Sequence, residues 1–190
     1  MDEDTKFVYD YFLKMCGDST LSEKILSVSQ IERICGNQSI LMAGHRTNYL
    51  CLVISGLVRG FYIDEGGKDV TKCFSMKGDW CCSYNYLSDI PCPFYLETAE
   101  DTVLAKFDIH EIKRITKEHP VLEEKVGKLL AKTMMESERR ILSFTSLEAK
   151  DRYLLLQKEQ PELVKHAKQE HIASYLGITP SSLSRIKRSL

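Results

Sequence analysis

Hydroxyl and cationic side chains recur at helical spacing near the end of this 190-residue chain. Such groups hydrogen-bond the phosphate oxygens and the base edges of nucleic acids. The candidate DNA-binding residues are Thr179, Ser181, Ser182, Arg185, Lys187 and Arg188. Residues 163–190 carry a net charge of +4 and residues 1–162 carry −5, although the whole chain carries −1. This asymmetry predicts that a polyanion is attracted to one end of the molecule.

The residues around Gly177 predict two short helices that cross at a turn. The apolar and small positions that this packing restricts are Ile172, Ala173, Leu176, Ile178, Leu183 and Ile186. Thr179 is suited to cap the second helix and Pro180 to be its first residue. The pattern therefore predicts a helix-turn-helix. The alternative is a helical hairpin buried in a core, which the Ser, Arg and Lys residues at the remaining positions disfavour.

Residues 118–144 are predicted to form a long helix with a seam for a partner helix. The seam residues follow at offsets of four and three: Val126, Leu130, Met134, Ser137, Ile141 and Phe144. These residues are the predicted dimer interface. The alternative is that the stripe packs only on the rest of its own chain. Residues 145–148 fit a capping box, which predicts that another helix begins there.

The hydrophobic pattern has a different period upstream. Residues 1–34 show helical spacing. Between Ser39 and Phe107, short runs of β-branched and aromatic residues alternate with turn residues, which predicts an antiparallel barrel or sandwich. The clearest hairpin is Asp64–Lys68, because Gly66 and Gly67 can supply the positive φ of a tight turn.

The composition is that of an ordinary soluble protein, with 43% hydrophobic and 28% charged residues. No segment approaches the roughly 20 apolar residues of a membrane helix. The acidic start, Met1–Asp4, does not resemble a signal peptide. We therefore expect a cytoplasmic protein without a membrane partner.

The seven cysteines include no Cys-x-x-Cys pair, which argues against zinc ribbons and thioredoxin-like redox motifs. We expect most of them to be reduced and to pack as small hydrophobic residues. A redox or sensing role for the adjacent Cys81 and Cys82 is the alternative.

Five segments of the sequence form a recognisable set of motifs: Tyr49–Arg59, Asp64–Lys68, Gly78–Trp80, Ile172–Pro180 and Leu183–Ile186. With them, nearly the whole chain resembles the CRP/FNR family of bacterial transcription regulators, and its C-terminal part resembles the branch common in Bacteroides-type bacteria. The resemblance implies an α+β fold. Its expected parts are a β-roll (a double-stranded β-helix or jelly roll) flanked by helices, a long dimerisation helix, and a C-terminal all-α, winged-helix-like helix-turn-helix with a truncated wing. The implied domains are a cyclic-nucleotide-binding-like sensor at residues 1–117, the dimerisation helix at 118–144 and the DNA-binding domain at 145–190.

The same resemblance implies a homodimer whose second helices enter the major grooves of a palindromic site in double-stranded DNA. RNA polymerase is a further candidate partner. Arg185 stands where family members have an arginine that reads guanine, and Ser181 stands where many have a glutamate that reads cytosine. Ser182, Lys187 and Arg188 are assigned to phosphates.

The predicted sensor departs from the members that bind cyclic AMP. Their Gly-Glu-Leu segment is replaced by Gly78-Asp79-Trp80, and no Arg or Lys occurs between Lys77 and Lys106 to neutralise a phosphate. We therefore expect no cyclic AMP binding. The predicted pocket for an unknown flat or apolar effector comprises Asp79, Trp80, Ser83, Tyr84, Tyr86, Phe94 and Tyr95. A roll filled by its own aromatic side chains is the alternative. No cofactor or metal ion is expected.

Two other classes of protein remain as alternatives. A cupin-like metalloenzyme would need several histidines, but His45 is the only one between Ser39 and Phe107, so the chain is predicted not to be an enzyme. A ligand-binding or protein-interaction module could use the terminal helices to contact another protein. DNA binding would weaken steeply with salt, whereas such a protein contact would not.

Overall fold

The computed structural model describes residues 1–190. The chain begins with helices α1 (Glu3–Cys16) and α2 (Ser19–Ser27), each capped by an aspartate. Asp2 accepts a hydrogen bond of 3.0 Å from the backbone N–H of Thr5, which satisfies one of the free donors at a helix start. The strands that follow are β1 (Ser29–Ile34), β2 (Ser39–Leu41), β3 (Tyr49–Ser55), β4 (Val58–Ile63), β5 (Asp69–Ser75), β6 (Trp80–Cys81), β7 (Tyr95–Thr98) and β8 (Thr102–Asp108).

The strands form two four-stranded antiparallel sheets, in the orders β1-β8-β3-β6 and β2-β7-β4-β5. A short helix, α3 (Tyr84–Leu87), lies between β6 and β7. One face of the first sheet packs on α1 and α2, and its other face packs on the second sheet. This explains why residues 50–54 of β3 are apolar without alternation, since both faces of the strand are buried. The predicted α+β fold with an N-terminal roll is confirmed.

The prediction that residues 1–34 are helical is wrong for the last six. Residues 29–34 form β1, which pairs with β8 from Ser29 opposite Phe107 to Ile34 opposite Thr102. A strand far along the chain therefore overrides the local pattern, as is common where cross-strand packing decides the conformation.

The predicted hairpin at Asp64–Lys68 is confirmed. The backbone N–H of Asp64 donates to the carbonyl of Lys68 at 2.9 Å, and Gly67 has φ of +78°. The carboxylate of Asp64 also accepts hydrogen bonds from the backbone N–H groups of Gly66 and Lys68.

After β8, the chain forms α4 (Ile109–Glu118) and the 27-residue helix α5 (Pro120–Ser146). The predicted capping box is wrong, because residues 145 and 146 still belong to α5 and the hydroxyls of Thr145 and Ser146 donate to the carbonyl of Leu142. The next helix has Glu148 at its N-cap, without a side-chain hydrogen bond.

The C-terminal part consists of α6 (Ala149–Glu159), α7 (Pro161–His166), α8 (Gln169–Tyr175) and α9 (Pro180–Arg188). Leu163, Ile172 and Leu183 are its fully buried centre, and Leu57 of the roll joins the same cluster. The C-terminal helices therefore pack against the roll. None of the helices could span a membrane.

The edge strand β5 is covered by groups from α5 and α8. The backbone N–H of Thr71 donates to the hydroxyl of Ser174 at 2.9 Å. The guanidinium of Arg140 donates to the carbonyls of Thr71 at 2.9 Å and Tyr175 at 3.1 Å, and it also donates to the carbonyl of Lys72. These bonds satisfy backbone groups that an edge strand would leave unpaired.

Candidate nucleic-acid interface and sensor clefts

Helices α8 and α9 meet at a turn centred on Gly177, whose φ is +68°. The hydroxyl of Thr179 accepts a hydrogen bond of 3.1 Å from the backbone N–H of Ser182, and Pro180 is the first residue of α9. The predicted cap and helix start are therefore confirmed. The local sequence accounts for this geometry. The Thr179 hydroxyl satisfies a free backbone N–H at the helix start, and Pro180 stands at a position where no backbone N–H is needed.

The two sides of α9 differ sharply. Leu183 is fully buried and Ile186 packs against the same cluster. Ser181, Arg185, Lys187 and Arg188 are exposed. Neither Arg185 nor Lys187 forms a salt bridge within the chain. The outer side of α9 therefore carries three exposed cations without an anionic partner, since Arg188 donates only to the neutral hydroxyl of Ser184, at 3.1 Å.

The other two cations of the basic C-terminal region have partners within the chain. The ammonium of Lys165 contacts Glu162 at 2.5 Å, and that of Lys168 donates to the side chain of Asn37 at 2.7 Å. Of these two cations only Lys165 is paired with an anion, because the amide of Asn37 is neutral and leaves the charge of Lys168 in place. Sequence reasoning counted all five cations alike and could not separate these two groups.

The predicted dimer seam lies on α5. Val126 and Leu130 are half-buried, whereas Met134 is 62% exposed and Ile141 is 66% exposed. Ser137 is exposed and donates to the carbonyl of Thr133 at 2.9 Å. Met134 and Ile141 are thus apolar seam residues that their own chain leaves largely uncovered.

Phe144 has contacts within its own chain that the seam pattern did not indicate. Its ring lies 5.4 Å from the guanidinium carbon of Arg140 and 5.1 Å from that of Arg152. Arg152 in turn donates to the carbonyls of Leu176, at 3.1 Å, and Leu147. Phe144 therefore supports the turn between α8 and α9, with 41% of its surface still exposed.

The predicted effector residues are divided between different hydrophobic clusters of the roll. Trp80 and Tyr86 pack with the cluster that attaches α1 to the roll. The indole N–H of Trp80 donates to the hydroxyl of Tyr11 at 2.8 Å, and its ring lies against Phe12 and Phe107. The role of Trp80 in the structure is therefore to join a helix to a sheet.

The remaining predicted effector residues make separate local contacts. Tyr84 and Phe94 pack edge to face at 5.9 Å, and Tyr95 stacks on Phe61 at 5.1 Å. Asp79 accepts a bond of 2.9 Å from the N–H of Met76, and Ser83 precedes α3 without a side-chain cap. An effector site built from these residues stays a prediction.

Two cations near this region, Arg59 of β4 and Lys72 of β5, lie outside the segment between Lys77 and Lys106 that lacks Arg and Lys. The ammonium of Lys72 lies 4.4 Å from the centre of the Phe94 ring. Arg59 is buried, and its guanidinium contacts Asp69 at 2.9 Å and Glu97 at 2.8 Å. The charge of Arg59 is therefore neutralised by two carboxylates of the chain itself.

A cleft of about 300 Å³ separates the β4–β5 hairpin from α8. Asp69, His171 and Ser174 are among its lining residues. His171 is buried, and its Nδ1 atom has no hydrogen-bond partner. Burial and the nearby charge of Arg59 lower the pKa of His171 below its ordinary value of 6.5.

A second cleft, of about 160 Å³, enters the roll beside Thr47 and Lys106 and reaches Cys51 and Cys82. The sulfur atoms of Cys51, Cys81 and Cys82 all lie within 4.8 Å of one another, and all three residues are buried. Hydrogen bonds from the thiols of Cys81 and Cys82 hold the pKa of the Cys51 thiol well below its usual value. As predicted, these three reduced cysteines pack in a hydrophobic cluster, and the structure adds that their sulfur atoms meet there.

Residues 31–119 match the family model of the cyclic nucleotide-binding domain. The anaerobic regulatory protein of Pasteurella multocida is 20% identical over 189 residues, which cover 91% of this chain and 69% of that protein. The c-di-GMP responsive global regulator CLP of Xanthomonas campestris superposes with a TM-score of 0.73 at 17% identity, covering 90% of this chain and 91% of that one. A transcriptional regulator of the CRP/FNR family from Eubacterium rectale superposes with a TM-score of 0.74 at 19% identity. The match covers 95% of this chain and 87% of that one.

Proposed function

Because the chain joins a cyclic nucleotide-binding domain at residues 31–119 to the fold of the CRP/FNR transcription regulators, we propose that it is a sequence-specific DNA-binding regulator. It acts as a homodimer, and α9 of each protomer enters a major groove of a palindromic site. The observation that carries the proposal is the exposed, cationic outer side of α9 over a fully buried Leu183.

The side chains on α9 suit the two kinds of contact that a sequence-specific DNA-binding protein makes, to base edges and to phosphate oxygens. A guanidinium can donate two parallel hydrogen bonds to the O6 and N7 atoms of guanine, and Arg185 is exposed and has no anionic partner in its own chain. The more flexible ammonium of Lys187 and the hydroxyl of Ser182 suit phosphate oxygens. We therefore assign sequence reading to Arg185 and positioning on the backbone to Ser182, Lys187 and Arg188.

The uncovered part of α5 supports the homodimer. Met134, Ile141 and Leu142 are each more than 60% exposed, on a helix that has few buried residues of its own. Large exposed apolar patches mark interaction surfaces in soluble proteins. A second copy of α5 would bury these side chains and set two copies of α9 side by side, as a palindromic site requires.

The contacts around β5 would couple the roll to the DNA-binding helices. Arg140 of α5 bonds to β5 and α8 at once, and Ser174 of α8 bonds to β5. A change in the roll that moves β5 would therefore move α8 and the turn that follows it. This network is the physical basis on which an effector bound in the roll would change DNA affinity.

The proposal is tested by selecting sites from a random double-stranded DNA pool with the full chain at two salt concentrations. We expect a palindromic site whose affinity falls as salt rises, because bound cations release counterions from the DNA. A site without palindromic symmetry would contradict the homodimer. Binding that is insensitive to salt, or selection of no sequence, would contradict the assignment of α9.

A further inference from the structure

The three thiols in the roll come from two neighbouring strands. Cys51 lies on β3 and Cys81 on β6, and the two residues are direct partners in the antiparallel register. Cys82 follows Cys81 in the chain and has φ of +57°, a conformation that residues other than glycine rarely adopt. With ordinary extended geometry, adjacent residues point to opposite faces of a sheet. Cys82 does not have this extended geometry, and its sulfur lies beside the sulfurs of Cys51 and Cys81.

We propose that Cys51, Cys81 and Cys82 bind one soft, thiolate-preferring metal ion, and that Cu(I) is the best match. Thiolates select Cu(I), zinc and iron-sulfur clusters over the harder cations. Zinc sites in proteins are almost always four-coordinate, and this group offers three sulfur ligands. A monovalent soft ion that accepts three thiolates therefore fits the group best.

The distances between the sulfurs are close to those that such a site needs. Three sulfurs each about 2.3 Å from a central ion lie about 4 Å apart in a trigonal plane. The three sulfur atoms here lie within 4.8 Å of one another. An inward movement of less than about 1 Å, which side-chain rotation can supply, would complete the site.

The surroundings favour a soft cation bound by anionic ligands. Each thiol that binds the ion releases its proton to water, so that a Cu(I) ion with three thiolates carries a net negative charge. The ammonium of Lys106, the register partner of Cys51 on β8, lines the same cleft and supplies a nearby positive charge. Glu32 pairs with that ammonium at 2.9 Å and lines the same cleft, so its carboxylate offsets part of this charge.

The cleft of about 160 Å³ gives the ion a route from solvent, because Cys51 and Cys82 both line it. Cys81 lies behind them and is 4% exposed. A metal site needs an entry path as well as ligands, and this cleft provides one. The inference concerns the roll alone and holds whether or not α9 binds DNA.

The test titrates Cu(I) into the reduced full chain without oxygen, against a chromophoric chelator that competes for the ion. We expect one equivalent to be retained tightly. Cys82→Ala should weaken this binding by roughly a hundredfold, since it removes a ligand. Cys92→Ala is the matched control, because Cys92 is also fully buried in the same cluster but lies outside the group of three sulfurs. It should bind as the parent does.

X-ray absorption at the copper edge counts the sulfur atoms bound to the copper ion and needs no variant. We expect three sulfur neighbours. Failure of the parent to retain Cu(I) would overturn the proposal, as would two sulfur neighbours or equal affinities in Cys82→Ala and Cys92→Ala. Circular dichroism of both variants checks their folding. If Cys82→Ala does not fold, the stoichiometry and the sulfur count of the parent still decide the question.

Discussion

The ring of Phe144 closes the space beside Gly177. A Cβ atom added to Gly177 would lie 2.8 Å from Cε1 of Phe144, closer than real Cβ contacts allow. The helix proposed to form the dimer therefore touches the turn of the proposed DNA-binding motif directly. Phe144 and Gly177 are 33 residues apart in the chain.

Gly177→Ala should destabilise the chain by roughly 2–3 kcal/mol, because positive φ costs a residue with a Cβ about 1–2 kcal/mol and the contact with Phe144 adds to this. Gly67→Ala is the matched control, since Gly67 also has positive φ, +78°, but has nothing within 4 Å of the added atom. Urea unfolding should show the larger loss for Gly177. Equal losses would mean that the Phe144 ring moves aside without cost.

Arg185→Ala should relax base preference at one position of the selected site by about 1–3 kcal/mol, because a bidentate contact to guanine is lost. Lys187→Ala, in the same helix, should weaken binding to all sequences alike and reduce the salt dependence. Binding isotherms on the selected site and on point-changed sites measure both effects. Equal effects of the two changes on every sequence would contradict base reading by Arg185.

Ile141→Glu should shift the protein from dimer to monomer, because it places a charge in the apolar seam of α5. Val121→Glu is the matched control, since Val121 is 50% exposed on the same helix but lies outside the predicted seam. Sedimentation velocity across a concentration series reports the change. A dimer that persists in Ile141→Glu would place the interface elsewhere.

The stability of the chain should fall as the pH drops through 6.5. The pKa of His171 is lower in the folded chain than in the unfolded chain, so the unfolded chain binds the extra proton first. The loss begins near the unfolded value of 6.5 and continues until the folded His171 also titrates. Urea midpoints between pH 8 and pH 5 should decline less in His171→Gln, whereas the exposed His45→Gln should behave as the parent.

Cyclic AMP should not bind at physiological concentration. A buried phosphate needs a cation, and the charge of Arg59 is already neutralised by Asp69 and Glu97. Isothermal titration of the full chain measures this, with Trp80 fluorescence as a second reporter. Micromolar affinity would contradict the prediction, and Lys72 beside Phe94 would then be the first residue to replace.

Local structure was predictable wherever short-range requirements decide it. Thr179 caps α9, Pro180 begins it, Gly177 adopts positive φ at the turn, and Gly67 does so in the hairpin. Each of these residues meets a steric or hydrogen-bonding need set by its immediate neighbours in the chain. The alternation of apolar positions likewise indicated the roll and the long helix, because burial acts on every turn or pleat of an element.

The tertiary structure decided the features that depend on residues distant in the chain. The pairing of Ser29–Ile34 with β8 made a strand of a segment whose pattern is helical. The register between β3 and β6 brought Cys51 to Cys81 and Cys82, and the packing of α1 placed Trp80 against Tyr11. Neighbouring residues do not determine such contacts, because the free energy that fixes them comes from surfaces that meet only when the whole chain has folded.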